Sequence, residues 1–590
     1  MPDSAVHKAF PGRPFATIVQ YNRPYWKEYG AGAALAVLFV GISLLMPMVF
    51  RAVVARLEAG TMTSSVLWAF FGVLVLIAAI SGVARYLQRC LMVRASRKFE
   101  YDLRNDYFRH VQQLSQDFFH RMQTGDIMAR ATNDLNYVRM FIGPGIMGTV
   151  DLLRLPLTLA MMTYLSAKLT AIALIPLPII SLLVYSFVSL MHRQSKRVQD
   201  QFAVVTSRAQ ENLAGARVVK AYGVATREVD AFKNVSQTYM RESIKLSAIM
   251  AFTWPFLGLV MGVTALLVVW RGGLMVVRGS LAFADFSAHL FYVVMLAMPL
   301  ARFGWTLTLY QRGAAGMNRL LEVFSETPSI QDDEQTQQHV ASIRGAVRFE
   351  EVSFAYDKLP VLHHVDFYVE AGQTLAIVGL TGSGKSSIVS LLTREYDPTE
   401  GRILIDDVDA RRLPVSLLRS NIGYVPQETF LFSDTIRANL TLGRPNATPE
   451  EIERALNLAQ LRETVEEMPE GVDTLLGERG VNLSGGQKQR LAIARAAICD
   501  PRVLILDDAL SSVDTHTEEL ILSALKQFLA RRTSIIIAHR ISTVQHADLI
   551  LVVDDGRIVE RGTHPELLAC GGLYADMHER QLLEEEIERE

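Results

Sequence analysis

Cysteine is scarce in this chain: 3 in 590 residues, Cys90, Cys499 and Cys570, too far apart for a disulfide framework or a zinc site. Reduced structural thiols are expected, and with them a working half in the cytosol. An excess of charge of one sign is also missing. With 59 Lys and Arg against 61 Asp and Glu the net charge is −2, which excludes binding to nucleic acid through gross charge, and a chain that is 50% hydrophobic is not a disordered one. Charged residues reach only 20%, and the mean hydropathy is +0.20. That is too apolar for the roughly four soluble domains of about 150 residues that the length would suggest. Part of the chain belongs in lipid. Residues 1–28 lack an apolar run ending in a small-residue cleavage site, because Lys8, Arg13, Arg23, Lys27 and Glu28 interrupt them. The N-terminus is therefore expected to stay inside, ahead of the first span.

What is present before residue 310 is a series of apolar stretches long enough to cross a core of about 30 Å. Six spans are predicted, at 29–50, 65–87, 141–163, 167–191, 249–271 and 281–300. The segment from Phe15 to Trp26 mixes aromatic and basic residues, which suits an interfacial helix or an ordinary loop. Connections alternate in length, long at 88–140 and 192–248, short at 51–64, 164–166 and 272–280. The long ones carry Arg89, Arg94, Arg97, Lys98, Arg104 and Arg109, then Arg193, Lys196, Arg197, Arg208, Arg217 and Lys220, so they and both chain ends are assigned to the cytosol. They are too long for loops and read as helical extensions reaching roughly 38 Å beyond the bilayer.

Asp151, Arg154, Asp285 and His289 fall inside predicted spans, where an ionisable side chain costs about 3 kcal/mol. They face a cavity, or else Asp285 lies at an interface and Asp151 pairs locally with Arg154 at i, i+3. Pro156, Pro176, Pro178, Pro255 and Pro299 read as kinks.

After Trp305 hydropathy falls, and the polar run Gln331 to Gln338 marks a solvated linker. From Val347 short apolar strands alternate with helices. The strand candidate Thr374 to Val378 runs directly into Gly379-Leu-Thr-Gly-Ser-Gly-Lys-Ser386, which has the phosphate-loop spacing. Gly379, Thr381, Gly382, Ser383, Gly384 and Ser387 are the residues expected to bring backbone and hydroxyl donors to phosphates, with the following helix directing its positive end at them. Lys385 supplies charge to the β and γ phosphates, Ser386 a hydroxyl for Mg²⁺, and Asp507, ending the apolar strand Val503 to Leu506, a carboxylate.

The stretch Leu483-Ser-Gly-Gly-Gln-Lys-Gln-Arg490 resembles the signature motif of ATP-binding cassette proteins. Tyr356, Gln427 in Val425-Pro-Gln-Glu428, Gly477-Glu-Arg-Gly480, Ser511-Ser-Val-Asp514 and His539 in Ile537-Ala-His-Arg540 follow the family order. The resemblance covers nearly the whole chain and has the layout of a half-exporter: an all-α six-helix transmembrane domain followed by an α/β P-loop ATPase domain. Its divisions would be an interfacial segment 1–28, a membrane domain 29–325, a linker 326–345, a cassette 346–580 and an acidic tail 581–590. It implies ATP and Mg²⁺, with Tyr356 stacking on adenine, Gln427 joining Ser386 and Asp507 at the metal, and His539 assisting hydrolysis. Asp514 takes the place of the loop aspartate after the catalytic strand. Ser484, Gly485, Gly486 and Gln487 would face a partner's ATP. Phe118 to Arg130 and Ala214 to Phe232 resemble the family's coupling segments.

One residue departs from the pattern. Where the family usually has Glu after the strand-ending Asp, this chain has Asp508, one methylene shorter and withdrawn by about 1.5 Å, a misplacement that can cost about 100-fold. The resemblance therefore implies a heterodimer with a sister half-transporter carrying Glu there, or a homodimer with two slow sites. The expected work is ATP-driven export of an amphipathic or lipophilic solute across the cytoplasmic membrane, in contact with membrane lipids and without nucleic acid. The rivals are a lipid-flipping homodimer and an ATP-gated channel.

Overall fold

A computed structural model of the chain describes residues 14–337, 340–357, 359–477, 480–511, 513, 515–538 and 540–589, with backbone alone at 177–185, 188, 253–254, 257, 260–261, 297–298, 300–301, 515–516, 542 and 584–589. Two compact units are present, one comprising Met1–Gln112 with Thr124–Glu326, the other Gln113–Gln123 with Thr327–Glu590.

The first unit is helical. Its long helices are Trp26–Glu58, Ser64–Gln113, Arg154–Leu174, Leu177–Ala214, Ala225–Val277 and Phe283–Ser325. Apolar windows long enough to span lipid occur, among the described residues, in Pro14–Glu58, Ser64–Gln113 and Thr124–Leu174, with shorter apolar helices at Gly262–Val277 and Phe283–Leu296. Within the predicted span 167–191 the backbone alone is described at 177–185 and 188. At 1.5 Å per residue, the 50-residue helix Ser64–Gln113 is about 75 Å long, more than twice a bilayer core. The helices Leu177–Ala214 and Ala225–Val277 are joined by the short helix Ala216–Ala221.

Breaks in these helices have local causes. Ser166 is extended (φ −163°, ψ 104°) within Arg154–Leu174, at the predicted short connection 164–166. A second break at Ile175–Pro176 follows from the ring, which cannot continue the preceding hydrogen-bond ladder. Pro47, Pro255 and Pro299 sit inside continuous helices. Apolar packing around Val40, Leu44, Met162, Leu169, Val268 and Tyr292 forms the core, and the Tyr292 hydroxyl donates to Leu44 O at 2.6 Å. Small residues let helices approach: a Cβ on Gly313 would strike Phe141, and one on Gly148 would strike Thr306. The N-terminal helix Pro14–Asn22 is held to the Ser64–Gln113 helix by Tyr21, whose hydroxyl donates to Asp106 at 3.1 Å, while Phe15 and Val19 stay exposed.

The second unit is an α/β cassette. Its strands are β1 (Val347–Tyr356), β2 (Leu359–Val369), β3 (Thr374–Val378), β4 (Glu400–Ile405), β5 (Val408–Asp409), β6 (Ile422–Val425), β7 (Val503–Asp507), β8 (Thr533–Ile537), β9 (Leu549–Asp554) and β10 (Arg557–Gly562). One sheet, ordered β2-β1-β4-β5, is antiparallel. The other, β10-β9-β3-β8-β7-β6, is parallel from β9 to β6. The all-buried runs in β7 and β8 have the continuous apolar character of strands covered on both faces.

Two segments are tied to the cassette unit. Gln331 to Gln335 are exposed, as a solvated linker would be, yet the segment is anchored: Asp332 accepts the Val415 amide at 2.9 Å, and the Gln337 amide donates to Arg412 O at 2.7 Å. The short helix Gln116–Arg121 belongs with the cassette unit, its Phe118 buried and its His120 ring 6.5 Å from Tyr396.

Candidate active site

Parallel sheets gather chemistry beyond the C-terminal ends of their strands. Here β3, β8, β7 and β6 are neighbours, so the segments leaving Val378, Ile537, Asp507 and Val425 emerge side by side. The order of strands, not their order in sequence, brings together residues that lie 30 to 159 positions apart.

The phosphate loop closes because its glycines adopt conformations that L side chains avoid. Gly382 and Gly384 have φ of +86° and +101°, and a Cβ on Gly379 would collide with Val553 O. The helix Lys385–Leu392 starts immediately after Gly384. Lys385 is buried, and its Nζ donates to Gly379 O at 2.9 Å and Leu380 O at 2.8 Å. Burial pulls its pKa below the ordinary lysine value, against the opposing pull of Asp507 and Asp508. The buried Ser383 hydroxyl lacks a hydrogen-bond partner among the described residues, a donor facing the loop that a phosphate oxygen would satisfy. Thr381, Gly382 and Ser386 are exposed around it, while Ser387 is buried.

Asp507 is 4% exposed at the end of β7. Asp508 follows with φ +51°, its amide donating to Ile537 O at 2.8 Å and so tying the ends of β7 and β8. The Gln427 amide donates to the Asp508 carboxylate at 3.4 Å, which unites residues 81 positions apart. Ser386, Asp507 and Gln427 offer only oxygen ligands, the donor set of a hard cation such as Mg²⁺, which keeps few protein ligands and takes the rest from phosphate and water. Tyr356 packs edge-on against Tyr396 at 5.2 Å, its hydroxyl 3.3 Å from Ser387 Oγ. His539 and Asp514 lie outside the described residues, as do Glu478 and Arg479.

The signature stands on the helix Gly485–Ile498. Ser484 caps it: its Oγ accepts the Gln487 amide at 3.3 Å, and Gln487 Oε1 accepts the Ser484 amide at 2.9 Å. Leu483 is buried beneath, whereas Ser484 and Gly485 are exposed. Sequence inspection passed over Gln489, which is buried on the same helix and donates to Ser511 Oγ at 3.0 Å.

In the helical unit the ionisable residues find partners far away in sequence. Asp151 does not pair with Arg154. Arg85 holds it through two bonds at 2.6 and 2.7 Å, with Arg302 at 3.3 Å, because partners on neighbouring helices present guanidinium forks where i, i+3 geometry does not. Arg85 and Arg154 stand 5.0 and 6.0 Å from the Phe39 ring centre, and Arg154 Nε is buried without a hydrogen-bond partner among the described residues. Two guanidinium groups thus hold one carboxylate. Asp285 pairs with Arg51, and His289 is fully buried with neither ring nitrogen hydrogen-bonded among the described residues. Arg51, Arg85 and Arg302 were legible only as polar interruptions at span ends.

Residues 30–300 match the family described as ABC transporter transmembrane region, and residues 362–511 the family described as ABC transporter. The chain is 36% identical over 576 residues to the multidrug resistance-like ATP-binding protein MdlA of Escherichia coli (strain K12), covering 97% of each chain. It is 34% identical over 518 residues to an ATP-dependent lipid A-core flippase of Syntrophus aciditrophicus (strain SB), covering 88% of this chain and 86% of that one. Its fold is similar to the structure of a bacterial Atm1-family ABC exporter with ATP bound, at TM-score 0.75 and 28% identity, over 94% of this chain and 98% of the other.

Proposed function

Because the chain belongs to the ATP-binding cassette transporter family, as a multi-pass membrane protein whose cassette hydrolyses ATP to drive transport, we propose that it is one half of a dimeric exporter of amphipathic solutes in the cytoplasmic membrane, with the cassette and N-terminus in the cytosol. The division into interfacial segment 1–28, membrane domain 29–325, linker 326–345, cassette 346–580 and tail 581–590 belongs to this reading. The observation that carries it is the 3.4 Å contact between Gln427 and a hydrolytic carboxylate that is Asp508 rather than Glu.

In this reading the glycine loop, Ser383 and Lys385 bind and orient the phosphates of ATP, and Tyr356 supports the adenine end. Mg²⁺, held by Ser386, Asp507 and Gln427, would neutralise charge on the transferring phosphoryl group. Asp508 takes the proton of the attacking water from a withdrawn position, with His539 assisting, so this site turns over slowly. Exposed Ser484 and Gly485 at a capped helix start, with Gly486, Gln487 and Asp514, serve the second cassette's ATP. A sister chain carrying Glu at the position of Asp508 would give that second site full activity. The exposed tips at Leu213, Val218 and Tyr222 supply apolar surface for the second half's cassette. ATP-driven closure of the two cassettes then favours the outward-facing cavity, and hydrolysis resets it.

Arg85 and Arg302, which outnumber the Asp151 carboxylate they hold, together with Arg154, support a cargo with an apolar body and an acidic group. Sealed vesicles containing the chain alone, or with a co-expressed sister chain, test the whole reading. ATP-dependent accumulation of acidic amphiphiles above their external concentration, faster with the sister, is expected. Dissipation of a gradient without accumulation would instead assign an ATP-gated channel, and full transport by the lone chain would assign a homodimer.

A further inference from the structure

The signature helix of this cassette carries two polar side chains with different addresses. Ser484, at its start, faces outward and serves the second half's nucleotide in the two-cassette reading on which this inference rests. Gln489, five residues along and about 7.5 Å up the same rigid helix, points inward, 4% exposed. Its Nε2 donates to Ser511 Oγ at 3.0 Å and lies 3.5 Å from Asp508 O. Ser511 Oγ in turn donates to Asp508 O at 3.0 Å. The signature helix is therefore hydrogen-bonded to the backbone carbonyl of the residue that performs hydrolysis in the same chain.

That carbonyl belongs to a residue with φ +51°, a left-handed conformation that a non-glycine residue keeps only when its surroundings enforce it. Polar bonds hold it on both sides: Asp508 N donates to Ile537 O at 2.8 Å, and Asp508 O accepts from Ser511 N at 3.4 Å, Ser511 Oγ at 3.0 Å and Gln489 Nε2 at 3.5 Å. Ala509 and Leu510, which follow it, are buried in the cassette core. Behind the turn lies a cavity of about 100 Å³, bordered by Asp508, Ser511, Glu518, Leu522, Arg540 and Thr543. The carboxylate end of the turn thus borders open space, and the polar bonds to Asp508 O add to core packing in setting where it rests.

We propose that Gln489 is the positioning residue through which the signature helix sets the Asp508 turn, so that each cassette's hydrolytic carboxylate responds to the nucleotide bound at the opposite site. A shift of Ser484 on engaging that nucleotide moves Gln489 with it, because the helix between them is continuous and capped. Gln489 acts through Ser511 and Asp508.

The experiment uses the full-length protein, in lipid nanodiscs with whichever second half it assembles with. Hydrolysis is followed against ATP concentration for wild type, Gln489→Leu, Ser511→Ala and the double variant, and binding of a fluorescent ATP analogue is measured separately. Expected are kcat losses of about 10- to 100-fold, analogue affinity within twofold of wild type, and a Hill coefficient falling toward 1. The double variant should be no worse than the poorer single one, since both act on one turn. Gln489→Glu, which keeps the side-chain length but removes the Nε2 donor to Ser511 Oγ and Asp508 O, should lose kcat as Gln489→Leu does. Unchanged kcat and Hill coefficient in Gln489→Leu, or losses that multiply in the double variant, would overturn the proposal. Ser484→Arg separates the two readings. If it hydrolyses like wild type, the two-cassette arrangement and this inference both fail; if it is inactive while Gln489→Leu is normal, this inference alone fails.

Discussion

Ser115 occupies the N-cap position of the helix Gln116–Arg121, yet its Oγ accepts the amide of Ile330 at 3.1 Å instead of an amide of its own helix. The segment leading into the cassette is thereby stitched to the short helix that resembles a coupling element. Two residues after Ile330, Asp332 accepts the Val415 amide. A run of polar residues with no apolar periodicity is held at three points by backbone bonds.

Ser115→Ala should remove one such bond at a cost of about 1 kcal/mol, too little to unfold the cassette. Solutes transported per ATP hydrolysed should fall while basal ATPase is retained. Parallel flux and phosphate-release assays in vesicles check it; an unchanged ratio would assign the bond to stability alone.

Asp508→Glu should raise hydrolysis at this site, by up to about 100-fold if the missing methylene is the whole deficit. The gain is bounded, because φ +51° suits Asp better than Glu and the longer residue should lower stability by roughly 1–2 kcal/mol. Single-turnover phosphate release and a thermal melt measure the two effects. Unaltered turnover would show that the second half's site sets the rate.

Gln427→Ala removes the 3.4 Å contact to Asp508 without touching the phosphate loop. Transport should drop at least about tenfold while ATP affinity changes less than threefold, a separation expected of a group that orients rather than binds. Equal losses in the two assays would count against that role.

Lys385 gives a pH prediction with a definite sign. Burial holds its folded-state pKa below 10.5. In the window beneath 10.5 the unfolded chain binds the proton more, so Lys385 adds stability to the nucleotide-free cassette as pH rises through that window. Phosphates favour the charged form, so ATP binding there should take up a proton and weaken with rising pH. Calorimetry in two buffers of different ionisation enthalpy detects the uptake, and Lys385→Arg, always charged, should abolish it.

Much of the site was legible because its chemistry is local. Gly379 to Ser386 must be contiguous to wrap a phosphate, and Ser484 to Gln487 form their own capping box within four residues. Asp508 stood out by its neighbour Asp507. Arg85 and Asp151 were not legible as a pair, since 66 residues separate them and helix packing alone decides which guanidinium reaches the carboxylate.

By itself, then, the sequence determined the lipid-compatible first half, the phosphate loop, the signature and the shortened carboxylate, all of them properties of residue type and short spacing. Tertiary structure alone decided that β6, β7, β8 and β3 lie side by side so that Gln427 meets Asp508, that Gln489 reaches the Asp508 turn, and that residues 113–123 and 327–337 pack with the cassette. The physical reason is common to these cases. Long-range hydrogen bonds are selected by which surfaces remain unsatisfied after strands and helices have packed, and no local pattern encodes that remainder.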